Sequence, residues 1–151
     1  MEKTLNRSSE MEEFAKDVLD FALEKKEKNE AFFIRLQGDL GAGKTTFCKA
    51  VGKHLGVTEN MQSPTFVLQK IYKTKHNTFK TLIHIDAYRI EKIEEAHILA
   101  LSEIEKDENA LVLIEWPEKI EELIPKIGAV IDFEHIDNTT RKVTLKMYGK
   151  K

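Results

Sequence analysis

Apolar positions near the N-terminus recur at helical spacing. Met11, Phe14, Ala15, Val18, Leu19 and Ala22 form one stripe, so "SSEMEEFAKDVLDFALEKKEK" predicts an amphipathic helix, with Ser9 and Glu12 as its capping box. The period then changes. "AFFIRL" (31–36) is short, apolar and aromatic-rich, as a buried strand should be. "KTTFCKAVGKHL" returns to helical spacing and meets Gly56 at a C-cap position. "TFVLQKIY" (65–72) and "TFKTLIHI" (78–85) predict two strands of a hairpin, and "IEKIEEAHILALSEIEK" a helix. "ALVLIEW" (110–116) is the most continuous apolar strand, and "PEKIEELIP" a short helix between prolines. "AVIDFEHI" and "RKVTLKMY", joined by "DNTT", predict a closing hairpin. Strands alternating with helices, with hairpins among them, predict an α/β fold, a three-layer sandwich around a mixed sheet in a single domain over residues 1–151.

Composition narrows the reading only a little. With 24 basic and 26 acidic residues the net charge is −2, too balanced to imply nucleic acid or membrane by itself. Residues 91–122 hold eleven acids against three lysines, which reads as a solvated face or a surface for a basic partner. Cys48 is the only cysteine, so no internal disulfide is possible and a cysteine-based zinc site is not expected. The N-terminal stretch lacks the apolar core of a signal peptide and no run reaches membrane-spanning length, so a cytoplasmic location is expected.

The chemistry concentrates in a glycine-rich turn. Gly38-Asp39-Leu40-Gly41-Ala42-Gly43-Lys44-Thr45 fits the pattern G-x-x-x-x-G-K-[ST], after a predicted strand and before a predicted helix. A loop wrapped round a phosphate points successive backbone N–H groups inward, which favours residues without a Cβ. The following helix adds its N-terminal donors and partial positive charge. Lys44 is expected to reach the β- and γ-phosphates, and the Thr45 hydroxyl to ligate Mg2+.

Hydrolysis also needs carboxylates for the metal and the attacking water. Asp86 follows "LIHI" and Glu115 follows "LVLI", two apolar runs that each deliver an acid at a strand end, where open α/β sheets place ligands. Asp86 also suits the N-cap of a helix opened by "DAYRIEKIEE". "QSPTF" offers Ser63 and Thr65 beside Pro64, either a proline turn or hydroxyls able to sense a γ-phosphate. Trp116 adjoins Glu115 and is a packed aromatic or a nucleotide-side contact. His84, His97 and His135 lack metal-ligand spacing and read as structural.

"GDLGAGKTT", "SPTF", "HIDAYRI" and "LIEWPE", in that order and spacing, resemble the TsaE (YjeE) family, the P-loop ATPases of bacterial tRNA threonylcarbamoyladenosine (t6A) synthesis. The resemblance runs from about Phe32 to Pro117. It implies an ATP-binding, Mg2+-dependent hydrolase of the P-loop NTPase fold that acts on the TsaB–TsaD complex. TsaB–TsaD attaches threonylcarbamoyl to A37 of tRNA, so TsaE reaches tRNA only through that complex. Matched by motif, Lys44, Thr45 and Thr46 become phosphate and Mg2+ residues, Thr65 the switch-like threonine, Asp86 the acid of D-x-Y-R, Glu115 the metal or water carboxylate, and Trp116 the nucleotide-side tryptophan. Where the family tends to carry a glycine after D-x-Y-R, this chain has Ala100 within "HILALSEI".

The glycine turn alone leaves a kinase, a GTPase and an ATPase standing. The chain has only Arg7, Arg35, Arg89 and Arg141 and no arginine-bearing lid insertion, which argues against a kinase. It also lacks the N/T-K-x-D segment expected of a GTPase. A nucleotide-gated assembly module with slow hydrolysis stays open beside the ATPase. The residues that hold the base are not legible, Ser8–Ser9 and the side of Trp116 being the candidates.

Overall fold

In a computed structural model, which describes residues 1–39 and 41–149, the apolar runs become strands of one sheet. They are β1 (Glu2–Leu5), β2 (Phe32–Gln37), β3 (Gln69–Lys73), β4 (Thr81–Asp86), β5 (Ala110–Glu115), β6 (Gly128–His135) and β7 (Arg141–Tyr148). The helices are α1 (Ser8–Lys25), α2 (Lys44–Leu55) and the single turn α3 (Leu101–Ile104). The spatial order is β1-β7-β6-β2-β5-β4-β3. Strands β6, β2, β5 and β4 run parallel, while β3, β7 and β1 pair antiparallel at the two sides, so the sheet is mixed as expected.

Alternation along the central strands sorts side chains into two cores. Phe32, Ile34 and Leu36 of β2, Leu82 of β4, Leu111 and Leu113 of β5, and Ile131 and Phe133 of β6 pack beneath α1 and α2. The predicted stripe of α1 is buried in full. Phe33, Ile83, Ile85, Val112 and Ile114 face the other way, against Ile90, Ala96, Leu99, Leu101, Ile120 and Ile124. That third layer is not built of regular helices. It consists of α3 and 3-10 turns at Ile93–Leu99, Pro117–Lys119 and Glu121–Leu123.

The break in this layer has a packing cause. Leu99 and Leu101 are both buried. Residues two apart in a continuous α-helix lie about 200° apart around the axis and cannot both face one sheet. Ala100 resolves the conflict by taking the left-handed conformation, φ 53 and ψ 45, between the 3-10 turn and α3.

Three further expectations are corrected. The strand predicted from Thr65 starts only at Gln69, because Pro64 O accepts hydrogen bonds from Val67 N (3.0 Å) and Leu68 N (2.7 Å) and turns the chain. The Ser9–Glu12 capping box does not form. Helix α1 begins at Ser8 after Arg7 with no side-chain cap, and Glu12 instead pairs with Lys53 of α2 at 3.1 Å. Strand β1 was not foreseen; it is mostly exposed, only Leu5 being buried, so it carries no apolar run.

Candidate functional site

Strand β2 ends in the glycine turn, and three backbone conformations in that turn require glycine: φ is 147 at Gly38, 80 at Gly41 and 102 at Gly43. Gly43 is the left-handed N-cap of α2, so the helix opens at Lys44 with no side-chain cap on its free N–H groups. That is the arrangement that receives an anion. Leu40 lies outside the described residues. Asp39 is exposed. Ala42 points its methyl into the core, and its N–H bonds Asp39 O at 3.2 Å.

Lys44 is buried, yet its charge is well surrounded. Its Nζ donates to Gly38 O at 2.5 Å and stands 4.0 Å from the centroid of the Trp116 ring. Burial draws the ammonium below its usual range, while the charges of Glu115, Glu118, Asp86 and Asp39 pull it back up. The lysine is thus folded onto the loop's own carbonyl.

The two strand-end acids stand side by side. In the parallel pairing of β4 and β5, Asp86 is the register partner of Glu115, and both are buried. Asp86 Oδ2 accepts from the Thr65 hydroxyl at 2.7 Å, and Ser63 and Thr65 share a hydrogen bond of 2.7 Å. Asp86 Oδ1 accepts from Tyr88 N at 3.0 Å, so the acid caps a turn, whereas the sequence suggested it would cap a helix. The turn at Ser63–Leu68 therefore ends on Asp86 instead of continuing the strand.

Glu115 is held from below. His84, two residues before Asp86 on the same face of β4, reaches Glu115 Oε2 with Nε2 at 2.6 Å. Cys48 of α2 is close to both, the three side chains' polar atoms lying within 4.8 Å of one another. Burial pushes the Cys48 thiol well up, reinforced by Glu115 and Asp86. Trp116, just past β5, takes φ 57 and packs against Tyr88 at 5.1 Å between ring centroids.

Beside this cluster lies a cavity of about 470 Å³. Gly41, Gly43, Lys44, Thr45, Thr46 and Glu115 form one wall. The rest of the lining comes from Leu5 to Ser8 with Met11, and from Asn138, Thr139 and Arg141. These two segments meet because β1 pairs with β7, setting Leu5 opposite Arg141, and the Thr140 hydroxyl ties them through Asn6 Oδ1 at 3.1 Å. Asp137 shapes the turn by accepting from Thr139 N at 2.9 Å and Thr140 N at 2.8 Å.

Of the residues singled out from sequence, Lys44, Thr45, Thr46, Gly41, Gly43 and Glu115 meet at one cavity. Asp86 and Thr65 join through the carboxylate pair, and Trp116 touches the lysine without lining the cavity. Ser8 lines it as one of the two base-side candidates; Ser9 does not. Sequence reasoning missed Asn6, Asn138 and Thr139, and it set aside Arg7 and Arg141. Residues 2–5, Glu-Lys-Thr-Leu, carry no apolar alternation that could have announced the strand that brings those segments together.

The chain matches the family model described as "Threonylcarbamoyl adenosine biosynthesis protein TsaE" over residues 5–143. It is 38% identical over 144 residues to the tRNA threonylcarbamoyladenosine biosynthesis protein TsaE of Rickettsia typhi, covering 95% of this chain and 92% of that one. The protein of the same name from Bacillus subtilis is 36% identical over 118 residues, 78% of this chain and 71% of its own. Among solved structures, the crystal structure of Bacillus subtilis YdiB superposes with a TM-score of 0.71 at 26% identity, covering 99% of this chain and 86% of that chain.

Proposed function

Since the chain belongs to the TsaE family of threonylcarbamoyl adenosine biosynthesis proteins, we propose that it is a P-loop ATPase serving t6A modification of tRNA. The observation that carries this reading is the cavity that joins the glycine turn to the Leu5–Ser8 and Asn138–Arg141 segments. Its volume suits a nucleotide, and its lining combines two kinds of group that a nucleotide needs. Free N–H groups and Lys44 favour a triphosphate. Arg7, Asn6 and Asn138 offer donors and acceptors to a base and ribose.

The donor set suits Mg2+. Thr45 contributes a hydroxyl and Glu115 and Asp86 carboxylates, all hard oxygens, and two buried acids against one buried ammonium leave negative charge to balance. When bound, the metal would supply charge stabilisation at the transferring phosphoryl group. The chain's own contributions are separate. Lys44 neutralises phosphate charge, the loop amides orient it, and Glu115 holds the metal or the attacking water. Thr65, bonded to Asp86, couples that acid to the turn at Ser63–Leu68.

We assign the TsaB–TsaD complex as the partner, with tRNA reached only through it. Unsatisfied apolar surface beside that turn supports a docking role. Phe66, Val67, Ile71 and Ile98 are 80%, 57%, 59% and 80% exposed, far more than such side chains need on a lone subunit. No helix among the described residues is long and apolar enough to cross a membrane. A cytoplasmic site of action follows from the tRNA substrate of the complex.

ATP hydrolysis by the purified chain should be slow alone, the Arg141 guanidinium being engaged with the carbonyls of Asp137 and Thr140. Addition of TsaB and TsaD should raise the rate. No response to the partners would reject the assignment, and a fast rate without them would reject the idea of partner-controlled turnover.

A further inference from the structure

His84 has no role in the chemistry described so far, and its surroundings are unusual. The ring is 1% exposed on β4, beside its register partner Leu113 and close to Cys48. Its Nε2 meets Glu115 Oε2 at 2.6 Å, while Nδ1 is buried without a partner among the described residues. A proton on Nδ1 would be an enclosed donor with nothing to accept it, a costly arrangement. The proton therefore belongs on Nε2, between ring and carboxylate.

The strand register explains the contact. His84 pairs with Leu113 and Asp86 with Glu115, so His84 sits one pleat behind Glu115 on the face covered by α2. One oxygen of Glu115 is thereby fixed, leaving Oε1 for the cavity that the residue lines. Without that bond, the buried carboxylate would lose its only side-chain hydrogen-bond partner among the described residues.

We infer that His84 is a positioning residue, which sets the rotamer of Glu115 by donating Nε2–H to Oε2 and so presents Oε1 toward bound metal or water. The inference rests on the ATPase reading for its consequence and on the hydrogen bond alone for its geometry. Donors behind metal-binding carboxylates change metal affinity or activity by about 10–100-fold when removed.

The test uses the full chain with His84→Leu, which removes the donor, and His84→Gln, whose amide can donate from nearly the same place. ADP affinity is measured by calorimetry in EDTA and in Mg2+, alongside ATP turnover with TsaB–TsaD. All three proteins should bind ADP alike in EDTA. His84→Leu should lose about 10–100-fold of the Mg2+-dependent gain in ADP affinity and a similar factor of kcat/KM, and His84→Gln should recover most of both. An unchanged His84→Leu, or a Gln variant as poor as Leu, would overturn the inference. The nitrogen NMR shifts of His84 in the nucleotide-free protein decide the geometry independently: a proton on Nε2 is expected, and one on Nδ1 overturns it even if His84→Leu fails to fold. A wild-type chain that binds no nucleotide would instead sink the ATPase reading, leaving the tautomer to decide the hydrogen bond.

Discussion

Two glycines of the same turn should respond very differently to alanine. Gly38 leaves β2 at φ 147, and a Cβ there would stand 2.5 Å from Phe133 O and 3.0 Å from Phe133 Cβ. The obstacle is backbone of β6, the neighbouring strand, so it cannot swing aside. Gly41 has φ 80, but apart from its chain neighbours nothing among the described residues lies within 4 Å of its notional Cβ. Gly41→Ala therefore carries only the left-handed penalty, about 1–2 kcal/mol. Gly38→Ala adds about 1–3 kcal/mol of backbone strain to about 1–3 kcal/mol of overpacking, for a middle value of about 4 kcal/mol. At about 2–4 °C per kcal/mol for a domain of this size, calorimetry should show Tm falling by about 8–16 °C for Gly38→Ala and about 3–6 °C for Gly41→Ala. Equal shifts, or a larger one at Gly41, would refute the claim that Gly38 is required by the close approach of β6.

Other substitutions probe separate parts of the account. Ala100→Gly removes a left-handed alanine at φ 53, and relief of about 1–2 kcal/mol against the greater freedom of unfolded glycine should raise Tm by about 1–3 °C; a fall would show that the methyl matters more than the backbone. Glu115→Gln should keep ATP binding and lower partner-stimulated turnover by about 100-fold or more, and retained hydrolysis would remove Glu115 from the catalytic set. Cys48 is buried and its thiol is held in the protonated form by burial, so a thiol-reactive dye should label the native chain only upon unfolding; rapid stoichiometric labelling would contradict that packing. Thr65→Val cuts the bond to Asp86 and should leave ATP affinity near normal while weakening stimulation by TsaB–TsaD, measured in the coupled ATPase assay; normal stimulation would deny the turn a coupling role.

What could be read from the sequence follows physical lines. Strands β2, β4 and β5 are buried on both faces and announce themselves as continuous apolar runs, and α1 does so through its single stripe. The glycine turn was legible because its conformations exclude other residues. Elements decided by tertiary contact were not. The segment before Leu99 has helical spacing but must also bury Leu101, and it breaks at Ala100. Residues 65–68 have strand composition, but Thr65 is drawn to Asp86. The lining from Leu5 to Ser8 depends on β1, a polar edge strand held by backbone pairing with β7, the burial of Leu5 and ion pairs of Glu2 and Lys3. His84 looked structural because its partner is 31 residues away, and only the register of β4 on β5 brings the two together.

The central claim is that the turn from Gly38 to Thr45 holds a nucleotide through Lys44. Titration calorimetry with ATP and Mg2+ on the wild-type chain and on Lys44→Ala tests it most directly. One nucleotide per chain should bind the wild type, and loss of a charge-assisted contact worth about 1.5–3 kcal/mol should weaken the variant by about 10–150-fold. Near-equal affinity in a folded Lys44→Ala protein would contradict the account.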